Sequence, residues 1–316
     1  MPHELDYLEA VAAGPDTPGE LKRAVVEFTR EASTEISTHD EKLLEILADR
    51  LPGGVTVYVA HTPKSSVEDV VRVAIKVQAA GLVASPHLVA RRLPGEQALR
   101  EALARLCAHG IEQALLVAGD LDRPLGPFKN TLDVLATGAL QQSGLRRIGV
   151  AGHPEGHPAV GSAELLCALR SKQEFAARSG IAVHIVTQFG FNPEGICAWD
   201  RVLAQEGIHL PVHVGLAGPT SLPRLLKFAI QCGIGTSVSS LMKNGGAVAT
   251  LTGHAVSPDE MLLGLVKGCA RHAGSRLVKP HVYSFGGALA TAGWLRSVME
   301  GAFDMAPDGR KFTVRT

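Results

Sequence analysis

The feature of the sequence that most constrains its fold is a regular alternation of short apolar runs with amphipathic helical patterns. Where the runs are clear, the alternation repeats about every 35–40 residues, which is the spacing of βα units. The predicted strands lie at residues 23–28, 55–60, 81–87, 113–118, 147–151, 182–187, 211–216 and 280–283. Eight such units predict an α/β fold of the (β/α)8 TIM-barrel type.

The interval between the seventh and eighth predicted strands is longer than the others. It contains helical patterns at residues 220–232 and 258–273, separated by a Gly- and Ser-rich segment at residues 233–246. We interpret this interval as an elaborated last crossover with a loop beside the barrel mouth, and a hinge between two domains is the alternative. The sequence thus predicts one catalytic barrel domain over residues 1–316, with residues 1–20 as an N-terminal extension.

The composition argues against several classes of partner. Hydrophobic residues make up 46% of the chain and aromatic residues 4%, so a large aliphatic core can form. Lys+Arg and Asp+Glu both number 31, and this balance predicts neither nucleic-acid nor membrane binding. No apolar run approaches the roughly 18 residues that span a bilayer, and residues 1–20 lack the pattern of a signal peptide.

The cysteines predict a reducing compartment. The five cysteines lie far apart in the sequence and form no C-x-x-C pair. This pattern is typical of free thiols in a cytoplasmic protein, and it argues against a zinc site built from cysteine.

Polar side chains are concentrated at the ends of five predicted strands. In a parallel barrel, catalytic groups lie where the strands end and the next helices begin. The candidates are the acids Glu27 and Asp120, the imidazoles His87, His153 and His157, and the amide Gln188. This concentration predicts an active site at the C-terminal face of the barrel.

Each acid has a functional and a structural interpretation. Glu27 lies in the apolar run at residues 24–28, where burial would favour its protonated form and suit it to proton donation. The alternative is a carboxylate that pairs with a basic side chain at the barrel rim. Asp120 follows Gly119, which would let a ligand approach the backbone while the acid accepts hydrogen bonds from a heterocycle. A turn-forming Asp is the alternative.

The remaining candidates suit a large, flat, polar ligand. Gln188 carries both a donor and an acceptor, and Phe189 and Phe191 beside it could stack on a ring or simply pack in the core. His153 and His157 are four residues apart, but the prolines between them exclude a regular helix that would present both to a metal. We therefore predict no metal site. The imidazoles suit hydrogen bonds to a large polar ligand, and each could instead be a structural histidine. No G-x-G-x-x-G opens a βα unit and no Walker loop occurs, so the sequence indicates no Rossmann dinucleotide domain.

In their order and spacing, these segments resemble methylenetetrahydrofolate reductases. The matching segments are Glu27-Phe28, Ser85-Pro86-His87-Leu88, Gly119-Asp120-Leu121, Pro154-Glu155-Gly156-His157-Pro158, Lys172 and Thr187-Gln188-Phe189. Together they cover the chain from about residue 25 to residue 283. The resemblance implies a barrel enzyme of one-carbon metabolism with a small-molecule folate substrate, and it suggests a homo-oligomer.

The resemblance also implies roles for the candidate residues. Glu27 would be the general acid that opens the folate imidazolidine ring to a 5-iminium cation, Asp120 would hold the pterin and offset the positive charge, and Gln188 would bind the pterin edge. NADH or NADPH would supply the hydride. The expected cofactor-binding residues are His87, Gly119, His153, His157, Glu164 and Lys172. Of these, His87, His157, Glu164 and Lys172 would either hold FAD or line a site where NADH or NADPH delivers hydride directly to the folate.

Several positions differ from the family pattern. Members of the family usually have Arg before Gly-Asp, where this chain has Ala118, and Tyr before Pro-Glu, where it has His153. The segment at residues 167–172 lacks the Asn and one basic residue that typically accompany the lysine. Because a neutral Ala cannot replace a charge-assisted bond to pyrophosphate, we predict that FAD is bound weakly or not at all.

Two other functions fit the same resemblance. A barrel methyltransferase would use methyltetrahydrofolate as donor and would need a corrinoid or thiol acceptor. A catalytically inactive folate-binding or regulatory subunit would have no turnover to lose when an acid is replaced.

Overall fold

The computed structural model describes residues 15, 17–231, 256–270 and 274–315. Eight parallel strands close into a barrel in sequence order. The closure pairs the first strand with the eighth, where Ser33 lies opposite His281 and Thr34 opposite Val282. The predicted (β/α)8 class is confirmed, whereas the segment at residues 233–246 and most of the predicted N-terminal extension lie outside the described residues.

The strands and helices alternate around the barrel. The strands are β1 (Ser33–Ser37), β2 (Thr56–Ala60), β3 (Val83–Val89), β4 (Gln113–Val117), β5 (Arg147–Gly152), β6 (Ala182–Phe189), β7 (Val212–Ala217) and β8 (Leu277–Tyr283). The helices are α1 (Pro18–Thr29), α2 (Leu44–Arg50), α3 (Val67–Ala79), α4 (Glu96–Ala108), α5 (Thr131–Ala136), α6 (Ala139–Ser143), α7 (Ser162–Ser179), α8 (Pro193–Gln205), α9 (Leu222–Gln231), α10 (Asp259–Ala270) and α11 (Ala288–Met299). A two-stranded antiparallel sheet of β9 (Phe303–Met305) and β10 (Phe312–Val314) follows α11.

The prediction of a first strand at residues 23–28 is wrong, because this segment lies in helix α1. Thr17 and Glu20 form a reciprocal capping box at the start of the helix, and Pro18 occupies its first turn. Leu21, Val25 and Thr29 are the buried residues of the helix. Their spacing of four is the period of one helical face, so the apolar run is part of a helical stripe.

The actual first strand is β1, and it is largely polar. Ile36 points outward into the main hydrophobic core, which lies between the barrel and its helices. Ser33 and Glu35 alternate with it and face the barrel interior, as their contacts to other strands show. The other seven predicted strands are confirmed, and the largest difference is at β8, which begins at Leu277 instead of Pro280.

The barrel interior is unusually polar. TIM-barrel interiors are dominated by branched aliphatic residues, but here His184 Nε2 lies 3.0 Å from the Tyr58 hydroxyl. His213 stacks on His184 with ring centroids 4.1 Å apart. His281 Nδ1 lies 2.9 Å from Ser33 Oγ. Each ring is buried, so these histidines are part of the packed core.

Burial keeps the interior histidines neutral. Removal from water lowers the pKa of His184 to about 3 and that of His281 to about 4. The pKa of His213 is also lowered, first by burial and then by the neighbouring His184. A neutral imidazole is the form that an enclosed interior favours, because charging it would lose hydration.

We expect these histidines to make the protein sensitive to acid. The pKa values of these histidines are lowered in the folded chain. Below the ordinary histidine pKa of about 6.5, the unfolded chain therefore binds more protons than the folded chain, and the free energy of unfolding decreases as the pH is lowered. Urea unfolding midpoints measured between pH ~7.5 and ~5 test this prediction. Replacing His184→Gln should flatten the dependence, whereas the exposed-site control His109→Gln should not. Midpoints that stay constant over this range would contradict the prediction.

Candidate functional site

A cavity of about 850 Å³ opens at the C-terminal ends of the barrel strands. Its walls include Glu35 from β1, Gln188 and Phe189 from β6, Tyr283 from β8, and the first turns of α9. Ligand pockets typically measure roughly 300–1,000 Å³, so this mouth cavity can hold a small molecule with a fused ring. It also lies at the face where barrel enzymes carry their chemistry.

Glu35 is the acid that β1 presents to the mouth cavity. Its Oε2 lies 3.3 Å from His87 Nε2, and the two side chains are 19% and 13% exposed. The separation suits an ion pair when His87 is protonated, although His87 Nε2 makes no hydrogen bond among the described residues. Glu35 is therefore a sheltered carboxyl group that has an imidazole beside it and a cavity in front of it.

The structure contradicts the predicted position of Glu27. Its side chain is 64% exposed and pairs with Arg30 on the same helix. It lies two residues before the end of α1, which leads into the N-terminal end of β1, so Glu27 lies away from the barrel mouth. Sequence reasoning missed Glu35 because it took residues 23–28 for a strand, and the capping box at Thr17 is the signal that marks them as a helix.

An aromatic cluster forms one wall of the mouth cavity. The ring centroid of Phe189 lies 4.8 Å from that of Phe285 and 5.8 Å from that of Tyr283. Phe191 packs on Phe189 at 5.9 Å, and Phe228 from α9 packs on Phe285 at 4.9 Å. Phe189 thus serves both as core packing and as a wall of the cavity.

The backbone around Gln188 is held by a local irregularity of β6. The register between β6 and β7 shifts between Val186 and Phe189. Thr187 Oγ1 accepts a hydrogen bond from Gly215 N at 2.8 Å, and the Tyr283 hydroxyl donates to Thr187 O at 2.8 Å. A Cβ atom at Gly215 would lie 2.5 Å from Thr187 O, so only glycine allows this close approach. Gln188 is presented to the cavity from a fixed backbone.

Asp120 lies on the same rim but does not line the mouth cavity. Arg92 Nη2 donates to Asp120 Oδ1 at 2.9 Å, and the arginine is 9% exposed while the aspartate is 74% exposed. Partial burial raises the pKa of Asp120, but the hydrogen bond from Arg92, a hydrogen bond from the backbone amide of Asp120 and the charge of Arg92 together outweigh it and hold the pKa below its usual value. Gly119 has a φ of +92°, and a Cβ there would lie 2.4 Å from Val89 Cγ1. Packing against β3 therefore requires glycine at this position.

A second cavity, of about 290 Å³, lies between β5, α7 and α8. Its polar side chains are His153, Ser162 and Lys172, and Leu165 and Trp199 are among its apolar ones. Lys172 is 7% exposed and makes no hydrogen bond or ion pair within the described residues. Burial lowers the pKa of Lys172 to about 8, and burial with the nearby His157 and Lys172 lowers that of His153 to about 4.

Two further predicted contacts lie outside the lining of both cavities. His157 packs against His153 with ring centroids 5.1 Å apart, and its Nδ1 accepts a hydrogen bond from Ala159 N at 3.1 Å. Glu164 is exposed in the first turn of α7. The predicted contacts to a flavin are therefore distributed over the mouth, the rim and the second cavity.

Membrane and metal features do not occur in the described part of the chain. None of its helices is both long enough and apolar enough to cross a membrane. Its His, Cys, Asp and Glu side chains form no group of three or more that could hold a metal ion. Cys107, Cys167 and Cys197 are free thiols.

We expect the replacement Lys172→Met to stabilise the protein near neutral pH. The pKa of Lys172 is lowered from 10.5 to about 8 in the folded chain. Below pH 8 the buried ammonium group therefore lowers the free energy of unfolding by its full amount, and this destabilisation disappears as the pH approaches 10.5. Removing the charge should raise the free energy of unfolding by roughly 1–3 kcal/mol at neutral pH, with a smaller gain at high pH. Urea unfolding at neutral pH and at high pH measures the free energy of unfolding of each protein. The exposed-site control Lys311→Met should change little, and a less stable Lys172→Met protein at neutral pH would contradict the prediction.

Comparisons with known proteins identify the family. Dihydropteroate synthase (FolP) from Thermus thermophilus is 16% identical with a TM-score of 0.43, over 84% of this chain and 92% of that chain. The sialic acid aldolase of Ruminococcus gnavus is 13% identical with a TM-score of 0.37, over 60% and 62%. Neither similarity is strong enough to carry an argument about this chain. The family model for methylenetetrahydrofolate reductase matches residues 37–244, which are 208 of the 316 residues. This chain belongs to the methylenetetrahydrofolate reductase family, whose members are oxidoreductases.

Proposed function

We propose that this protein interconverts 5,10-methylenetetrahydrofolate and 5-methyltetrahydrofolate, with NADH or NADPH as the hydride source and without a tightly bound flavin. The observation that carries the proposal is the mouth cavity, where the Glu35 carboxyl group, the Gln188 amide and an aromatic wall line one space. Family membership suggests the reaction class. The choice of nicotinamide donor is part of the proposal.

The cavity suits recognition of a pterin. The Gln188 amide has both a donor and an acceptor, so it can pair with the neighbouring donor and acceptor atoms of a heterocycle edge. The rings of Phe189, Phe285 and Tyr283 supply an apolar surface for the flat ring system. Together they fix the plane and the edge of the substrate.

We assign to Glu35 the role of general acid that the resemblance implies for Glu27. In its protonated form it donates a proton to the folate nitrogen that leaves as the imidazolidine ring opens. The product of this step is the 5-iminium cation, which accepts hydride from the reduced nicotinamide to give the methyl group. The Glu35 carboxylate that remains lies 3.3 Å from His87 Nε2, where a protonated imidazole would stabilise it.

Asp120 is proposed to hold the pterin from the rim and to offset the positive charge of the iminium. Arg92 keeps the carboxylate ionised and limits its orientations, because its guanidinium is itself nearly buried. Glu35 and Asp120 would then act in different protonation states, one as a proton donor and one as a fixed negative charge.

The distribution of the predicted flavin contacts supports direct hydride transfer. FAD is plausible for a member of this family. However, His87 faces Glu35, whereas His153 and Lys172 line the separate second cavity, so these side chains do not form one surface for a flavin dinucleotide. Ala118 supplies no guanidinium for a pyrophosphate. The residues present do not fit a tightly held FAD.

Three further features of the proposal rest on the sequence or, for the oligomeric state, on the family alone. They are a cytoplasmic location, a homo-oligomeric state, and a small-molecule folate as the partner instead of nucleic acid or a membrane. The free thiols at Cys107, Cys167 and Cys197 are compatible with a reducing compartment.

We expect Glu35→Gln to lower turnover about 10²–10⁴-fold, the usual contribution of a positioned general acid. The affinity for methyltetrahydrofolate should stay nearly unchanged, because the amide keeps the size of the side chain. Folate-dependent oxidation of NADH and NADPH measures turnover. Glu27→Gln is the control and should retain full activity. A protein that loses activity on the Glu27 replacement but not on the Glu35 replacement would contradict the assignment.

We also expect freshly purified protein to lack a stoichiometric flavin spectrum. Absorbance before and after titration with NADH and with NADPH measures bound flavin and its reduction. A full complement of flavin that the nicotinamides reduce would overturn the proposal of direct transfer. If neither nicotinamide is oxidised with folate, with or without added FAD, the reductase proposal itself is wrong, and the methyltransferase alternative should be tested.

A further inference from the structure

Helix α9 places two basic side chains on the mouth cavity. Arg224 and Lys227 both line it, and their spacing of three residues puts them on the same face of the helix. Both side chains are exposed, and neither forms an ion pair or hydrogen bond within the described residues. These cations are not needed for the proton-transfer step proposed above.

The acids of the same cavity are already engaged by other groups. The Asp40 carboxylate accepts hydrogen bonds from Ser37 N at 2.9 Å and from Ser37 Oγ at 2.8 Å. Glu35 lies beside His87. Neither acid forms an ion pair with Arg224 or Lys227. The positive N-terminal end of the α9 dipole lies beside these two cations and also favours an anion there.

The opposite loop leaves the guanidinium accessible. Gly286 follows β8, lines the cavity and has a φ of +76°. A Cβ atom at Gly286 would lie 4.0 Å from Arg224 Nη1. Because glycine has no side chain, the guanidinium can receive a ligand from this direction.

The two cations lie next to the aromatic wall. Phe228 comes directly after Lys227 on α9 and packs on Phe285, which contacts Phe189. A ligand whose ring lies on this wall would therefore direct its other end towards α9. An anionic end would meet the planar fork of Arg224, which pairs with carboxylate or phosphate through two parallel hydrogen bonds.

We propose that Arg224 and Lys227 bind the anionic tail of a reactant in the mouth cavity and so determine specificity. This inference rests on the proposed function, which names two reactants with such tails. The tail is either the carboxylates of the folate glutamyl chain or the 2′-phosphate of NADPH. A folate with several glutamates would offer one carboxylate to each cation, and the 2′-phosphate of NADPH would offer a dianion.

Equilibrium binding to the purified protein tests the inference without depending on turnover. The four probes are 5-methyltetrahydrofolate with one glutamate, its triglutamate form, NADH and NADPH. If the tail is folate, the unmodified protein should bind the triglutamate about tenfold more tightly than the monoglutamate, and Arg224→Gln with Lys227→Gln should remove that preference. If the tail is phosphate, the double replacement should remove a preference of about tenfold for NADPH over NADH.

A charge-matched control separates a local contact from a general loss of positive charge. Arg310→Gln with Lys311→Gln removes the same two charges from an exposed position between β9 and β10. This control should keep every preference of the unmodified protein. Equal preferences in the α9 variant and the unmodified protein, or equal losses in both double variants, would overturn the inference.

The outcomes also distinguish this inference from the proposed function. Unchanged binding preferences in the α9 variant, together with normal turnover of the monoglutamate, would overturn the anion site alone. Failure of the unmodified protein to bind any of the four probes would overturn both.

Discussion

The strict alternation of side chains along closed, parallel strands is the constraint on which the rest of the structure depends. On β1 it directs Ile36 outward to the helices and Glu35 inward to the barrel mouth. A shift of one residue would exchange the two faces and remove the carboxyl group from the cavity. The closure of β1 against β8 fixes this register, because Ser33 lies opposite His281.

The polar interior follows from the same alternation and has an energetic cost. Tyr58, His184 and His281 occupy inward positions that branched aliphatic residues usually fill. The buried rings of His184 and His281 are compatible with folding because burial keeps them neutral, and because Tyr58 and Ser33 each form a hydrogen bond with one nitrogen of one ring. At the mouth, by contrast, the Glu35 carboxyl group lies beside His87 and both side chains remain partly exposed.

Much of this arrangement could be predicted from the sequence, and the failures have physical causes. The apolar runs between amphipathic helical patterns predicted seven of the eight strands, and with them the position of Gln188 at a strand end. The sequence pattern did not predict β1, because its alternating polar residues produce no apolar run. The pairing of Arg92 with Asp120 and the separation of Lys172 from the mouth depend on how distant segments pack, which no local pattern reports.

The two cavities of the protein are lined by chemically different side chains. The mouth combines the Glu35 carboxyl group, the Gln188 amide and an aromatic wall, whereas the second cavity holds the buried Lys172 among mostly apolar side chains. A crystal structure with bound 5-methyltetrahydrofolate tests the central claim most directly. The pterin should lie in the mouth cavity, with its edge on the Gln188 amide and the Glu35 carboxyl group within hydrogen-bond reach of the folate. A pterin bound in the second cavity, or one that contacts neither side chain, would contradict the claim.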